Sequence, residues 1–546
     1  MKSIDDLRRE FLEPFSTSDS SSILFAGLAS YFQRIANLRS MNSPILGDAV
    51  EGLDYRFLRT QKMPLVATST NETLEDLFSM LEGTVDWAHP LQVIAPSPPP
   101  TIVSLFAYFV AAHLLPNFAS DLYSQRFIRA EIQTVAMLAD IIGYDQLKCA
   151  GFSTFGGAAT NIYGIKIALE KAMKAISGIS TNKLCLFKSE NAHASSLVAA
   201  KWLNVEPINV ITVSSDNNSM NVSDLVSKMR IALDKGYVPA GIVCELGSTF
   251  EFAMDRLEEV SEHSKDICKT YNLSMRPHIH ADAVIGWVYS FFNDYDFYEN
   301  PENFEPRAIE GLETIVQNTK QLQLADSIGI DFHKLGFTPL TSSFFLLRDG
   351  SDIKYIANQE EFSLEEIYSS FGNYTPAHFT LESTRPAMGP LAAYLNCVLL
   401  GKEGFRSLLA YNLGLALYLR DKLGNLPYCR VLNNNNEGPA LVIRLYPSAL
   451  PLPEIEEEIL DAQLLERINQ FNERCFDEFT TSLLQNHGAA WLSFSRKYKV
   501  FPKHSNNSVE LSVMKSYVTS PFTSKETIDG AVAVMTQAWE AVCAST

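Results

Sequence analysis

Paired cysteines, an excess of positive charge and a long apolar run are all missing from this 546-residue chain. No two of its eight cysteines (149, 185, 244, 268, 397, 429, 475 and 543) form a C-x-x-C pair. Neither a disulfide framework nor a thiolate zinc site is suggested, and free thiols in a reducing cytoplasm fit the scatter better. Lys and Arg number 44 against 63 Asp and Glu, a formal charge of −19. A nucleic-acid or anionic-membrane surface needs clustered basic side chains, so neither partner is expected. The most apolar stretch, 101–115, is too short to span a bilayer and carries His113. The opening MKSIDDLRREFLEPF places acidic residues where a secretory signal would be apolar. No repeat or biased tract appears beyond the short Asn433–Asn436 run. A soluble cytoplasmic protein with no membrane segment is expected.

What is present is enough chain for two or three domains, with 46% apolar and 20% charged residues. Residues 1–130 are largely helical in pattern, broken by the extended APSPPP at 95–100. From 131 to 400, apolar strands alternate with helical patterns: KLCLF (183–187), INVITV (208–213), GIVCEL (241–246), IHADAVIGW (279–287) and SSFFLLR (342–348). Near-continuous apolar strands separated by helices predict an α/β domain with a mostly parallel sheet covered on both faces. Residues 401–546 mix helices with ALVIRLY (440–446) and VELSVMKSYV (509–518), a smaller α+β domain.

Ligands of an open α/β sheet bind outside the carboxyl ends of its strands, and the loops there carry suggestive residues. Gly156-Gly157 open a helix whose Ile162, Ile165, Leu169, Met173 and Ile176 recur at helical spacing. Such a start accepts a phosphate on its free backbone N–H groups, although Gly-Gly before a helix is more often only a tight turn. His193 lies just beyond 183–187 and reads on its own as an ordinary polar residue. Ser248 and Thr249 follow 241–246, where capping a turn is the plain alternative. Asp282 lies inside an apolar strand, and a buried carboxylate needs a partner, a structural ion pair being the plain alternative. Finally His333-Lys334 precedes the run Phe344–Leu347. A lysine at the edge of a core strand ordinarily snorkels to solvent unless its amine has a partner or a task.

Taken in order, these pieces resemble the group II amino acid decarboxylases that depend on pyridoxal phosphate. TFGGAATN (154–161) is similar to that family's T-G-G-[ST]-E-A-N, SENAHASSLVAAKWLNV (189–205) to its S-x-x-A-H-x-S, and GYVPAGIVCELGSTFEFAMD (236–255) to its strand, G-T-T turn and downstream Asp. HIHADAVIG (278–286) is similar to H-V-D-A-A, and DSIGIDFHKLG (326–336) to A-D-S-x-x-x-[ND]-P-H-K. DWAHP (86–90) and MKSYVTSPFTSKETID (514–529) extend the likeness toward both ends. The resemblance implies a fold type I, aspartate aminotransferase-like architecture with a seven-stranded large-domain sheet. It also implies a carboxy-lyase that works as a homodimer with active sites at the interface.

It further implies roles for residues. Lys334 would join the cofactor aldehyde through its amine, and Asp282 would pair with the pyridine nitrogen. His193 would stack over the ring and assist proton transfer. Gly157, Ala158 and His333 would hold the phosphate, while Thr249 would position the ring. Tyr374 or Tyr368 would return a proton to Cα, with Tyr374 the preferred of the two. Arg385 and Lys515 are the candidate partners of a substrate carboxylate, and no metal is implied. The chain departs from the family pattern at Ala158 and Ala159, at Phe332 in place of the common Pro, and at Leu91, where aromatic amino acid decarboxylases often place a ring. An aldehyde-forming or carbon–carbon lyase relative, or a homologue without activity, is the alternative.

Overall fold

The structure is a computed structural model that describes residues 20–49, 52–216, 219–358, 366–367, 372–485, 487–501 and 508–545. Tyr368 lies outside the described residues. The amino-terminal zone contributes helices α1 (Ser20–Leu38) and α2 (Ile102–Leu114). Ala107 and Ala111 of α2 are buried against the large domain, whereas Ile102 and Phe106 on its other side are 84% and 63% exposed. This zone is not purely helical. Trp491 N–H donates to Leu91 O and Tyr517 N–H donates to Val93 O, so residues 91–93 run extended beside the carboxy-terminal domain.

The middle zone builds a seven-stranded sheet from β1 (Ala150–Thr154), β2 (Leu184–Ser189), β3 (Val210–Val213), β4 (Val238–Glu245), β5 (His278–Asp282), β6 (Ser327–Asp331) and β7 (Ser343–Leu347). Their order is β1-β7-β6-β5-β4-β2-β3. Only β7 runs against the rest. Every residue of β1, β5, β6 and β7 is buried, as expected for strands covered on both faces. The strand expected over 279–287 ends at Asp282, and the chain continues as a 3-10 turn, Gly286–Phe292. Helix α3 (Arg129–Ile142) covers one side. Helix α4 (Gly157–Ala175) follows β1, and α5 (Ala194–Trp202) follows β2.

Helix α6 (Met388–Gly424) is interrupted at Gly401, with φ 55° and ψ −169°. Beyond the break Phe405, Leu409, Leu413 and Leu417 still pack into the core of the large sheet. The small domain is an antiparallel sheet of β8 (Cys429–Val431), β9 (Ala440–Leu445), β10 (Ser493–Val500) and β11 (Val509–Tyr517), ordered β8-β9-β11-β10. Helices α7 (Ala462–Leu484) and α8 (Lys525–Ala544) cover it. On α7 the buried Ile468, Phe471, Cys475, Phe479 and Leu483 form a single stripe, the spacing an amphipathic helix requires.

Candidate active site

The chemistry-bearing residues gather at the carboxyl edge of the large sheet. β6 ends on Asp331, whose side chain is 2% exposed, and the chain then turns through His333 and Lys334. Lys334 Nζ lies 3.0 Å from Asp331 Oδ2, and His333 Nε2 lies 3.5 Å from the same oxygen. The other oxygen, Oδ1, accepts from Ser343 Oγ at 2.5 Å. Trp287 Nε1 donates to the Asp331 carbonyl at 3.1 Å and so fixes the backbone from which Lys334 extends. The Lys334 side chain is 23% exposed, so its amine stands at the mouth of the site over a buried carboxylate.

Helix α4 begins beside this pair. A Cβ built on Gly157 would stand 2.7 Å from Asp331 Oδ2 and 3.0 Å from Val284 Cγ1, so only glycine lets the helix start come this close. No side chain caps the start, and the first N–H groups of a helix have no partner within it. Ala158, next along, is exposed. One turn on, Asn161 Nδ2 donates to Asp282 Oδ2 at 2.7 Å and to Ser195 Oγ at 3.1 Å. Gly164 is packed so tightly that a Cβ would stand 2.5 Å from the His280 ring.

Asp282 is 2% exposed, yet its Oδ1 finds no hydrogen-bond partner among the described residues. Glu245 sits opposite Asp282 across the β4–β5 ladder. Burial, with Asp282 beside it, pushes the Glu245 carboxyl well above the usual carboxylate range. Glu245 Oε1 accepts the His193 N–H at 3.0 Å and so fixes the backbone entering α5. His193 caps that helix, its Nδ1 accepting the Ser195 N–H at 3.2 Å. Burial lowers the His193 pKa, with Asp282 opposing and Lys334 assisting, so the ring is neutral near pH 7.

The small domain closes the site from β11. Lys515 is 7% exposed, and its amine lies 4.9 Å from the Phe250 ring centroid and 5.7 Å from that of Tyr517. Burial brings its pKa down to about 8, against the pull of Glu251. Tyr517 Oη donates to Ser248 O at 3.2 Å, which ties this strand to the turn after β4. Thr249 is half-buried in that turn.

Two expected residues are placed elsewhere. Arg385 is 1% exposed and its guanidinium is paired with Glu131 of α3 at 2.5 Å, with further bonds to Phe118 O and Ser153 O. Glu131 is fully buried and needs a cation, so the expectation that Arg385 meets a substrate carboxylate is corrected to a structural ion pair. The Tyr374 hydroxyl donates to Glu131 Oε1 at 2.9 Å, and the residue is 3% exposed. Tyr374 thus belongs to the same buried cluster, which corrects its expected place at Cα. The reading of the sequence passed over Asp331, Asn161, Glu245 and Ser195. Asp331 carried the same signal as Asp282, an acid closing an apolar strand. Asn161 carried a weaker one, a polar residue on the buried face of α4.

A lysine amine, an uncapped helix start and an unpartnered carboxylate thus meet at the strand ends of an α/β sheet. Residues 58–289 match the family described as pyridoxal-dependent decarboxylase conserved domain. The match stops before β6, so Lys334 rests on geometry. The chain is 27% identical over 331 residues to an L-aspartate decarboxylase of Thermococcus kodakarensis, covering 61% of this chain and 72% of that protein. It is 25% identical over 284 residues to an aspartate 1-decarboxylase of Aliivibrio fischeri, covering 49% of this chain but only 45% of that protein. Its fold is similar to that of mouse CSAD, with a TM-score of 0.74 at 16% identity over 95% of this chain and 99% of the other. It is also similar to Catharanthus roseus tryptophan decarboxylase in complex with L-tryptophan, with a TM-score of 0.76 at 13% identity over 97% and 100%.

Proposed function

We propose that this chain is a pyridoxal-phosphate-dependent L-amino-acid decarboxylase, converting an amino acid to its amine and carbon dioxide. The observation that carries this reading is the convergence of the Lys334 amine, the uncapped start of α4 and the unpartnered Asp282 Oδ1 on one sheet edge. These residues fit the cofactor's aldehyde, phosphate and ring nitrogen. Bound there, pyridoxal phosphate supplies the electron sink that decarboxylation at Cα requires.

The chain's own groups do the rest. Asp282 Oδ1 would accept a hydrogen bond from the protonated ring nitrogen and so keep that proton on the ring, while Asn161 keeps the carboxylate oriented. The amides of Gly157 and Ala158, with His333, would face the phosphate. His193, neutral and exposed at the start of α5, would offer its ring face, and Thr249 would position the ring. Because Nδ1 accepts a bond from Ser195, His193 would hold its proton at Nε2. The Lys515 ammonium would orient a substrate carboxylate, and the Phe250 and Tyr517 rings beside it would exclude water. With Tyr374 committed to Glu131, Tyr368 is the tyrosine we assign to return a proton to Cα.

A cytoplasmic homodimer belongs to the same reading. All eight cysteines are free. Phe25, Phe32, Ile102 and Phe106 present apolar surface, between 63% and 84% exposed, that a second copy would cover. The test compares wild type with Lys334→Ala after addition of pyridoxal phosphate, before and after borohydride. A visible absorption band fixed covalently to residue 334, followed by amine and carbon dioxide release from an amino acid, is the expected result. L-Aspartate is the first substrate to try, given the names of the two sequence relatives. No band would refute the reading, and an aldehyde in place of the amine would assign the alternative outcome.

A further inference from the structure

The ion pair beneath the catalytic amine has a consequence for how the cofactor is attached. A lysine must give up a proton before its nitrogen can attack an aldehyde, because the ammonium has no lone pair. Lys334 Nζ lies 3.0 Å from Asp331 Oδ2, within hydrogen-bond reach, and Asp331 is 2% exposed. We propose that Asp331 is a catalytic residue of cofactor attachment, the base that frees the Lys334 amine and returns the proton as water leaves. This rests on the pyridoxal-phosphate reading of the site.

One proton passes from Lys334 Nζ to Asp331 Oδ2, and the nitrogen lone pair forms the bond to the aldehyde carbon. A second nitrogen proton moves to the aldehyde oxygen. That oxygen departs as water with the proton that Asp331 gives back. The carboxylate is regenerated, and the new carbon–nitrogen double bond keeps the positive charge the lysine began with.

The surroundings suit the carboxylate to this exchange. Ser343 Oγ donates to Oδ1 and holds the group in one orientation, leaving Oδ2 to the lysine. His333 Nε2 lies 3.5 Å from Oδ2, and the start of α4 comes close to the same oxygen at Gly157. His193 senses Asp331, Lys334, Asp282 and Lys515 together, so these are the charged groups any pH profile of the step must include. Among the described residues no other carboxylate oxygen lies within 4.0 Å of the Lys334 amine.

The test is the rate of pyridoxal phosphate attachment to cofactor-free full-length protein. It is followed by stopped-flow absorbance and by the mass of the borohydride-fixed adduct, across pH 6 to 9. Asp331→Asn keeps the shape and the Ser343 bond but removes the base, so attachment should slow by roughly 100-fold at pH 7 and become proportional to hydroxide concentration. Asp331→Glu should recover part of the rate. Ser343→Ala, which leaves the base in place, should slow attachment by only roughly 2- to 10-fold, because the carboxylate loses the hydrogen bond that orients it. An Asn variant that attaches the cofactor as fast as wild type, or faster, with the same pH profile would overturn the proposal. So would a Ser343→Ala variant slowed as much as Asp331→Asn. Wild type that forms no adduct at all refutes the function instead, so the two failures are distinguishable.

Discussion

Replacing Arg385 by Met separates a structural ion pair from a substrate contact. In this structure the guanidinium is buried and meets Glu131, Phe118 O, Ser153 O and Ser153 Oγ. Removing it leaves Glu131 fully buried with, among the described residues, only the Ser153 N–H and the Tyr374 hydroxyl as donors. Stranding one member of a buried pair costs about 3–5 kcal/mol. With a urea m-value of about 2–3 kcal/mol/M, the unfolding midpoint should fall by roughly 1–2 M. The double variant Glu131→Gln/Arg385→Met removes both charges and should recover most of that loss. The assay is urea unfolding by fluorescence, run beside the KM for the amino acid substrate, which should stay within about two-fold of wild type. An Arg385→Met protein with an unchanged midpoint and a KM raised about ten-fold or more would mean that the guanidinium meets substrate, and the burial argument would be wrong.

Gly157→Ala places a methyl 2.7 Å from Asp331 Oδ2, and overpacking of this size costs about 1–3 kcal/mol. If the cost falls on the cofactor site, pyridoxal phosphate should bind roughly 5- to 100-fold more weakly by absorbance titration, and an unchanged Kd would show that the helix start is not its cradle. Lys515 is charged below its pKa of about 8 and neutral above it, so substrate affinity should hold on the acid side and fall as pH rises through that value. Lys515→Arg, whose guanidinium stays charged, should flatten the alkaline rise in KM. Persistence of that rise in the Arg variant would assign it to another group.

The sequence made most of the sheet legible, and its omissions have a common cause. β2, β3, β4 and β7 carry runs of large or branched apolar residues, and β5, HIHAD, is marked by the apolar residues that follow it, whereas β1, AGFST, offers one large apolar side chain. β1 becomes a strand because β7 lies beside it and supplies its ladder bonds, a partner nearly two hundred positions away. The site divides the same way. The candidates Lys334, Asp282, His193 and Gly157 could be picked out because each sits at or just past the end of a strand, where an α/β sheet places its ligands. The places of Arg385 and Tyr374 could not be read, because the carboxylate that claims them lies 254 and 243 positions earlier in the chain.

The rule that a charge inside an apolar element marks chemistry selects Asp282 and Glu131 equally, and the sequence cannot tell them apart. The structure does so by counting donors. Both oxygens of Glu131 are met, by Arg385, Tyr374 and the Ser153 N–H, so that carboxylate is complete within the fold. Asp282 has one oxygen on Asn161 and one on nothing among the described residues. A buried carboxylate oxygen without a donor is costly unless something outside the chain completes it. Of the two acids, therefore, only Asp282 asks for a ligand, and a protonated ring nitrogen is the donor its position suits.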